Sequence, residues 1–344
     1  MMGRIIQSLQ SSLAIADQSD VGECRRRAMS MAEQYGFDET QVGRVGIVAT
    51  EMANNIFRHA GGGTVLTQVL DDSIQPEFEI LGIDQGSGMS DVQACLRDGH
   101  STRGTAGTGL GAIFRLSTVF DIFSLPGKGT AVLSRIRSRA TARHTALPSA
   151  SKLELGVVSL AMAGEIECGD SWGIADNDQF ISILVADGLG HGPLAASASK
   201  AAVAAFVNNP FDRPEEALRA MHRAASGTRG TAAACARLNS AELTIDYAGV
   251  GNISGAVVTE ARPRGMVSHN GTLGLQVART QQFQYPMPGG SYVVMHSDGL
   301  SSRWSLADYP GLAQRHPAII AAVLYRDYSR VRDDVTVIVA RQGQ

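Results

Sequence analysis

Residues 79–89 read EILGIDQGSGM, an apolar run that ends at Asp84 and is followed within four residues by two glycines. The run predicts a strand, and Asp84 then stands at the end of that strand. Gly86 and Gly88 let the backbone approach a ligand closely, because glycine has no Cβ and tolerates positive φ. The stretch therefore predicts a strand that carries one carboxylate to a binding site.

Helices precede this strand, and further strands follow it. Asp20 predicts the start of a helix that runs to about Gln34, and Asp38 predicts the start of a second helix that reaches His59. Beyond them, the residue pattern predicts strands at 64–70 and 76–83, a helix that begins at 109 and a terminal hairpin over 120–136. Helices combined with an antiparallel sheet predict an α+β sandwich.

Two further groups of residues belong with Asp84. Glu51 and Asn55 lie four residues apart, so they share one helix face, where a carboxylate and an amide oxygen can hold Mg²⁺ and orient a hydroxyl. Residues 107–111, Gly-Thr-Gly-Leu-Gly, directly precede a helix whose free N–H groups favour phosphate. Alone, the first pair is usually a solvated face and the second a flexible turn. Neither the Rossmann nor the Walker glycine pattern occurs.

Length and composition limit the classes of protein that fit. The 344 residues exceed what one compact domain usually holds. The net charge of −3 excludes the basic surface of a general nucleic-acid binder, and no apolar stretch is long enough to span a membrane. Four scattered cysteines predict neither a disulfide framework nor a zinc site, which fits a cytoplasmic protein. The oligomeric state stays open, a homodimer included.

A polar, basic stretch divides the chain. Residues 138–152, SRATARHTALPSASK, contain no acid and no periodic apolar face, which is typical of a linker. We therefore predict one domain at 1–137 and another at 153–344. The second is rich in strand-like runs, which two helical stretches interrupt at roughly 193–207 and 310–327.

The acids of the second domain fall mostly at the ends of its predicted strands. They are Asp170 in ECGDSWG, Asp187 in VADGLGHG, Asp298 in MHSDGLSSRW, and Asp333 and Asp334 in RDDVTVIV. Carboxylates at adjacent strand ends can converge on two divalent ions, which can activate water for in-line attack on phosphorus. One Asp-Gly pair is usually only a turn, but two such pairs with a terminal Asp-Asp predict a metal centre.

Three blocks of the first domain follow one another as ATEMANNIFRHAGGG, DQGSGM and DGHSTRGTAGTGLGAIFRL. In this order they resemble the GHKL ATPase and kinase superfamily, and within it the RsbT and RsbW type of anti-sigma serine kinase. The resemblance implies that Asp84 recognises the adenine amino group of ATP, that Asn55 holds Mg²⁺ and that Glu51 is the general base. It implies nucleotide-binding roles for a further set of residues: Gly86, Gly88, Gly107, Thr108, Gly109, Leu110, Gly111 and Thr130.

The second domain is similar to the PPM metal-dependent Ser/Thr phosphatases of the SpoIIE branch, because CGDS, VADGLG and RGTAA look most like the RsbX type. The resemblance implies a β-sandwich flanked by helices that binds two Mn²⁺ or Mg²⁺ ions. It assigns the ligands as catalytic Asp187, which bridges both ions, the Gly188 carbonyl, Asp170, Asp298 and Asp333, with Asp334 as the fallback for Asp333.

Other conspicuous residues of this domain carry weaker expectations. His191 is either a general acid or a solvated loop residue. The family's phosphate-binding arginine has no early counterpart here, which leaves Arg229 and Arg237 as candidates. Trp172, Trp304 and Cys168 are interpreted as packing residues, the last as an inert thiol.

Together these features predict a cytoplasmic, bifunctional regulator of a partner-switching pathway of the anti-sigma or stressosome kind. It would phosphorylate Ser or Thr on a STAS-domain partner with ATP and would hydrolyse phosphoserine or phosphothreonine with a metal centre. In the alternative, the first domain binds nucleotide and partner and gates the phosphatase without transferring phosphate. Glu51 favours the kinase, since binding alone needs no base. A DNA-repair or chaperone ATPase is disfavoured by the short domain and the absence of a transducer domain.

Overall fold

The computed structural model describes residues 4–70, 76–96, 109–138, 153–277, 279–330 and 332–343. Its α-helices are α1 Gln18–Gln34, α2 Glu39–Asn55, α3 Val92–Leu96, α4 Gly109–Leu116, α5 Pro193–Asn208, α6 Pro214–Ala224 and α7 Pro317–Tyr328. A π-helical turn, Ile56–Ala60, extends α2, and 3-10 turns lie at Leu306–Asp308 and Leu312–Gln314. Within the described ranges, no helix combines the length and the apolar character needed to cross a membrane.

The strands occur in groups between these helices along the chain. They are β1 Arg4–Ile6, β2 Ser11–Ile15, β3 Gly63–Leu70, β4 Glu77–Asp84, β5 Val119–Leu125, β6 Gly129–Arg137, β7 Leu153–Leu160, β8 Asp170–Asp176, β9 Phe180–Gly188, β10 Thr231–Asn239, β11 Thr244–Val250, β12 Ser254–Thr259, β13 Arg262–Met266, β14 Gly271–Thr272, β15 Gln276–Val277, β16 Phe283–Pro286, β17 Tyr292–His296 and β18 Val335–Gln342.

The chain divides into two compact units, and each contains a short segment that is distant in sequence. The first unit comprises Ser8–Leu147 and Gln314–Arg326, and the second comprises Met1–Gln7, Pro148–Ala313 and Asp327–Gln344. Apart from Ser138, the predicted linker lies outside the described residues.

In the first unit, one antiparallel sheet in the order β2-β3-β4-β6-β5 packs against helices. Buried apolar residues of α1, α2, α4 and the sheet form one core. Asp38 caps α2 as predicted, because its Oδ1 accepts from Gln41 N–H at 2.8 Å. The cap of α1 is Asp17 rather than Asp20. Asp20 instead occupies the third helical position, where its carboxylate accepts from the Asp17 N–H at 2.9 Å.

The second unit contains two larger antiparallel sheets, in the orders β1-β8-β9-β10-β11-β16 and β13-β12-β17-β18-β7. Helices α5 and α6 cover one face of the first of these sheets, where Leu184 and Ala186 join their core. The alternate residues Ile183 and Val185 are buried as well. Since successive strand residues point to opposite faces, both faces of this sheet are covered, which explains the nearly continuous apolar run before Asp187.

Candidate functional site

Asp84 is the last residue of β4, directly before the turn that carries Gly86 and Gly88. Its Oδ1 accepts hydrogen bonds from the backbone N–H of Gly86 at 2.8 Å and of Thr130 at 3.2 Å. Oδ2 accepts none from the residues that the structure describes. Burial raises the pKa of Asp84, and the two backbone hydrogen bonds oppose this rise. The carboxylate is therefore fixed through one oxygen, and the other can accept from a ligand.

The start of β6 packs tightly against Asp84. Gly129 has φ +83°, and a methyl group added to it would lie 2.1 Å from the Asp84 carbonyl oxygen, so only glycine fits there. The Thr130 hydroxyl lies 2.9 Å from the Ser124 hydroxyl. Thr130, to which the resemblance assigned a nucleotide-binding role, thus contacts Asp84 through its backbone N–H.

Glu51 and Asn55 of α2 both face the start of α4. A methyl group added to Gly109 would lie 2.6 Å from Glu51 Oε2 and 3.4 Å from Asn55 Oδ1. Of the other residues predicted in the 107–111 stretch, Leu110 and Gly111 lie in the first turn of α4. Gly107 and Thr108 lie outside the described residues. A carboxylate and an amide oxygen thus lie beside a helix start, where N–H groups favour an anion.

The predicted metal ligands lie at matching strand ends of the second unit. Antiparallel pairing of β8 with β9 sets Asp170 directly opposite Asp187. Asp298 follows β17 and Asp333 precedes β18, and these two strands pair with each other up to His296, opposite Val337. Each pair of strands therefore contributes two of the acids.

A hydrogen bond connects the two groups of acids. The Ser297 hydroxyl donates to Asp170 Oδ2 at 2.6 Å and accepts from the Thr336 N–H at 3.0 Å. The other oxygen, Asp170 Oδ1, is buried and has no hydrogen-bond partner among the residues that the structure describes. An orphaned buried carboxylate oxygen is costly unless a cation or proton satisfies it. The sequence analysis overlooked Ser297, although its place directly before Asp298 was a usable signal.

The electrostatics of the acids are those of a cation site. Burial raises the pKa of Asp170 and of Asp187, and the neighbouring carboxylates raise both further. Burial and Asp298 likewise raise the pKa of Asp333. Among the described residues, no three acidic, histidine or cysteine side chains already form a closed ligand group. The acids are therefore clustered and mutually repelling, which favours positive charge between them.

The terminal pair of acids has two different environments. Asp334 is buried, and its two oxygens accept from Met162 N–H at 2.8 Å and Gly169 N–H at 3.0 Å. Asp333 instead lines an open cleft of about 590 Å³ together with Asp187 and Asp298. Asp334 thus accepts hydrogen bonds from the protein's own backbone, and Asp333 faces the cleft that Asp187 and Asp298 also line.

Backbone and amide contacts complete this cleft. A methyl group added to Gly188 would lie 1.9 Å from the carbonyl oxygen of Ala195 in α5, so the end of β9 can approach the helix only with glycine at this position. The Asn252 side chain, which also lines the cleft, donates to Asp298 Oδ2 at 2.7 Å. Asn252 was not predicted, although an amide directly after a strand-like run could have been noticed.

The basic residues considered for the phosphatase-like site lie at different distances from the cleft. His191 lines the cleft, and its Nδ1 lies 2.6 Å from Glu165 Oε1. A methyl group added to Gly190, which also lines the cleft, would lie 3.2 Å from Arg229 Nη1, so Arg229 is at the rim. Arg237 is not at this site: it pairs with Asp246 at 3.0 Å. In β10, the residue that pairs with Asp187 is Ala232. Arg237 lies five residues further along the same strand, a distance of about 17 Å.

The remaining conspicuous residues have packing environments. Trp172 and Trp304 are buried, and the Trp304 indole N–H donates to His296 Nε2 at 3.1 Å. Burial raises the pKa of the Cys168 thiol, which disfavours the reactive thiolate.

Residues 15–136 match the family of histidine kinase-like ATPase domains, and residues 177–343 match the stage II sporulation protein E (SpoIIE) family. Serine/threonine-protein kinase RsbT of Bacillus subtilis (strain 168) is 31% identical over 123 residues, which cover 36% of this chain and 92% of RsbT. Phosphoserine phosphatase RsbX of the same organism is 31% identical over 97 residues, which cover 28% of this chain and 49% of RsbX.

One solved structure concerns the bacterial stressosome, described as a modular system adapted to control secondary messenger signaling. A chain of it is 30% identical with a TM-score of 0.51, and the match covers 55% of this chain and 99% of that one. The predicted α+β class and both predicted resemblances are confirmed. The chain belongs to the histidine kinase-like ATPase family through an RsbT-like first domain, and its second half is similar to the SpoIIE family and to RsbX.

Proposed function

We propose that this protein is a bifunctional partner-switching regulator that phosphorylates Ser or Thr on a protein partner with ATP and hydrolyses the resulting phosphoester at its carboxylate cluster. The observation that carries the phosphatase half is Asp170 Oδ1, which is buried among mutually repelling acids and accepts no hydrogen bond within the described part of the chain. Such a group fits divalent cations, which prefer several carboxylate oxygens.

In the phosphatase half, Asp187 would bridge two Mn²⁺ or Mg²⁺ ions. The Gly188 carbonyl, Asp170, Asp298 and Asp333 would complete their ligands. When bound, such ions supply Lewis acidity that activates water and neutralises phosphoryl charge. Ser297 holds Asp170 through Oδ2 and leaves Oδ1 to a cation, and Asn252 holds Asp298 in the same manner.

In the kinase half, Asp84 Oδ2 would accept a hydrogen bond from the adenine amino group of ATP. Asn55 would hold Mg²⁺, and Glu51 would take the proton from the attacking hydroxyl. The support is geometric, since Glu51 and Asn55 converge on Gly109 at the start of α4. In that arrangement a base lies beside a helix start suited to phosphate.

The partner would be a small STAS-domain protein of an anti-sigma or stressosome circuit. Two relatives support this choice, a serine/threonine-protein kinase and a phosphoserine phosphatase, together with a chain from a stressosome structure. Since one chain would carry both activities, its kinase half would raise the phosphorylated fraction of the partner and its phosphatase half would lower it.

The phosphatase half is tested with a phosphoserine peptide and Mn²⁺ or Mg²⁺. Wild type should hydrolyse the peptide only with metal, and Asp187→Asn should abolish turnover, because the bridging ligand loses its charge. Asp178→Asn is the matched control, since Asp178 is an exposed acid in the turn between β8 and β9, the strand that contains Asp187. Metal-independent hydrolysis, or full activity of Asp187→Asn, contradicts the proposal.

The kinase half is tested separately with labelled ATP, Mg²⁺ and a panel of STAS-domain proteins. Label should appear on Ser or Thr, and Glu51→Ala should lower transfer by about 10² to 10⁴ while ATP still binds. ATP binding without transfer to any partner would instead support the nucleotide-binding gate.

A further inference from the structure

The compact unit that holds Asp84 extends beyond the residues that match the ATPase family. Besides Ser8–Leu147 it includes Gln314–Arg326, whereas the family match ends at residue 136. A segment nearly 180 residues further along the chain is therefore part of the nucleotide-binding unit. The contacts at the two ends of this segment show what it does there.

At its N-terminal end, the segment donates two hydrogen bonds to Asp121 of β5. Asp121 Oδ2 accepts from the His316 N–H at 2.6 Å, and Asp121 Oδ1 accepts from Arg315 Nη1 at 3.3 Å. These contacts attach the start of α7 to the sheet. They lie away from Asp84, because Asp121 is at the far end of the β5–β6 hairpin from the Gly129 turn.

At the other end, Arg326 contacts the Asp84 turn itself. Arg326 Nη1 donates to the backbone carbonyl of Asp84 at 3.2 Å, and Gln85 Nε2 lies 3.5 Å from the Arg326 carbonyl oxygen. Asp84 is thus held at two points: Gly86 and Thr130 bind its carboxylate, and Arg326 binds its backbone.

Besides its hydrogen bond to the Asp84 backbone, Arg326 acts on the Asp84 carboxylate through its charge. Burial favours the protonated form of Asp84, and the guanidinium, together with His59, favours the ionised form. An ionised carboxylate accepts a hydrogen bond from an amino group more strongly than a carboxylic acid does. Arg326 therefore supports both the place and the charge state that adenine recognition would need.

We propose that Arg326 is a positioning residue of the nucleotide site, which holds the Asp84 turn so that the Asp84 carboxylate can accept from the adenine amino group. The inference rests on the proposed ATP site and deepens it. It assigns a role in adenine selectivity to a residue outside the ATPase family match.

The test compares the affinities of the full chain for ATP and for ITP, whose base has a carbonyl oxygen in place of the adenine amino group. Arg326→Ala should weaken ATP binding about tenfold and leave ITP binding nearly unchanged, because Arg326 acts through Asp84. Arg326→Lys, which keeps the charge and one donor, should restore most of the loss. Arg315→Ala is the matched control, since it removes an arginine contact at the other end of the same segment.

The outcomes separate the inference from the proposed function. If wild type does not prefer ATP over ITP, the role proposed for Asp84 is wrong. If wild type prefers ATP but Arg326→Ala matches wild type, or weakens both nucleotides equally, the positioning role is wrong. In an Asp84→Asn background, Arg326→Ala should have almost no further effect, and an additive loss would also overturn the inference.

Discussion

At the scale of single residues, Asp333 and Asp334 share a motif but differ in environment. Asp333 lines the cleft, so Asp333→Asn should weaken Mn²⁺ binding and hydrolysis and leave thermal stability nearly unchanged. Asp334→Ala removes the acceptor of two backbone N–H groups and should cost about 1–3 kcal/mol in the free energy of unfolding. Isothermal titration with Mn²⁺ and urea unfolding of both variants check this. The reverse pattern would show that Asp334 is the ligand.

We expect Arg229 to be the basic residue that meets a phosphoryl group. It lies beside Gly190 at the rim of the cleft. The Leu189 N–H donates to the Gly230 carbonyl at 3.0 Å, which fixes the turn that contains Arg229 at this rim. Arg229→Ala should raise KM for para-nitrophenyl phosphate about tenfold with little change in kcat, because a charged hydrogen bond to the substrate is lost. Arg223→Ala, an exposed arginine on α6, is the control. An effect confined to phosphoprotein substrates would show that Arg229 contacts the partner's acids instead.

At the scale of elements, the close approach of α2 and α4 aligns the proposed catalytic base. Gly109→Ala would place a methyl group 2.6 Å from Glu51 Oε2, so the carboxylate must move while both helices stay intact. Phosphotransfer should fall about tenfold or more, with little change in melting temperature, since alanine favours a helix. Phosphotransfer assays beside thermal melts check this, with Gly43 of α2, where an added methyl group meets no neighbouring atom within 4 Å, mutated to alanine as the control. Unchanged transfer would argue against Glu51 as the base.

The sequence predicted the elements whose signals are local. Asp38 caps α2, and the strand before Asp84 ends where its glycines begin. The pairing of β1 with β8 could not be predicted, because Arg4 meets Asp176 only after 172 residues of chain have folded. The contact of Arg326 with Asp84 is equally non-local. Local pattern therefore locates the acids of each site, and tertiary folding decides which side chains hold those acids in place.

At the scale of the whole molecule, the acids of the second unit should make the free energy of unfolding depend on pH when no metal is bound. Asp170 and Asp187 have raised pKa values, chiefly because they are buried, so the folded state binds more protons than the unfolded state. The free energy of unfolding should therefore fall as pH rises from about pH 4 toward neutral, where both groups are forced to ionise. Mn²⁺ binds the ionised form and should raise the melting temperature more at about pH 8 than at about pH 5.

Differential scanning fluorimetry with and without Mn²⁺ measures this effect. Asp187→Asn removes one of the repelling charges, so its metal-free stability should depend less on pH than that of wild type. A Mn²⁺ shift that is the same at every pH, or as large in Asp187→Asn as in wild type, would contradict the assignment of these acids to a cation site.

Each compact unit draws a segment from elsewhere in the chain, so the two proposed activities are best tested in the intact protein. The central claim is that one chain both adds phosphate to a partner and removes it. Asp187→Asn, which should lack the phosphatase, is incubated with labelled ATP, Mg²⁺ and STAS-domain proteins. The labelled partner is then chased with wild-type protein and Mn²⁺ after ATP has been removed. The account predicts that label accumulates on Ser or Thr with Asp187→Asn and is released as inorganic phosphate by wild type. Absence of label with Asp187→Asn, or label that wild type cannot remove, would contradict it.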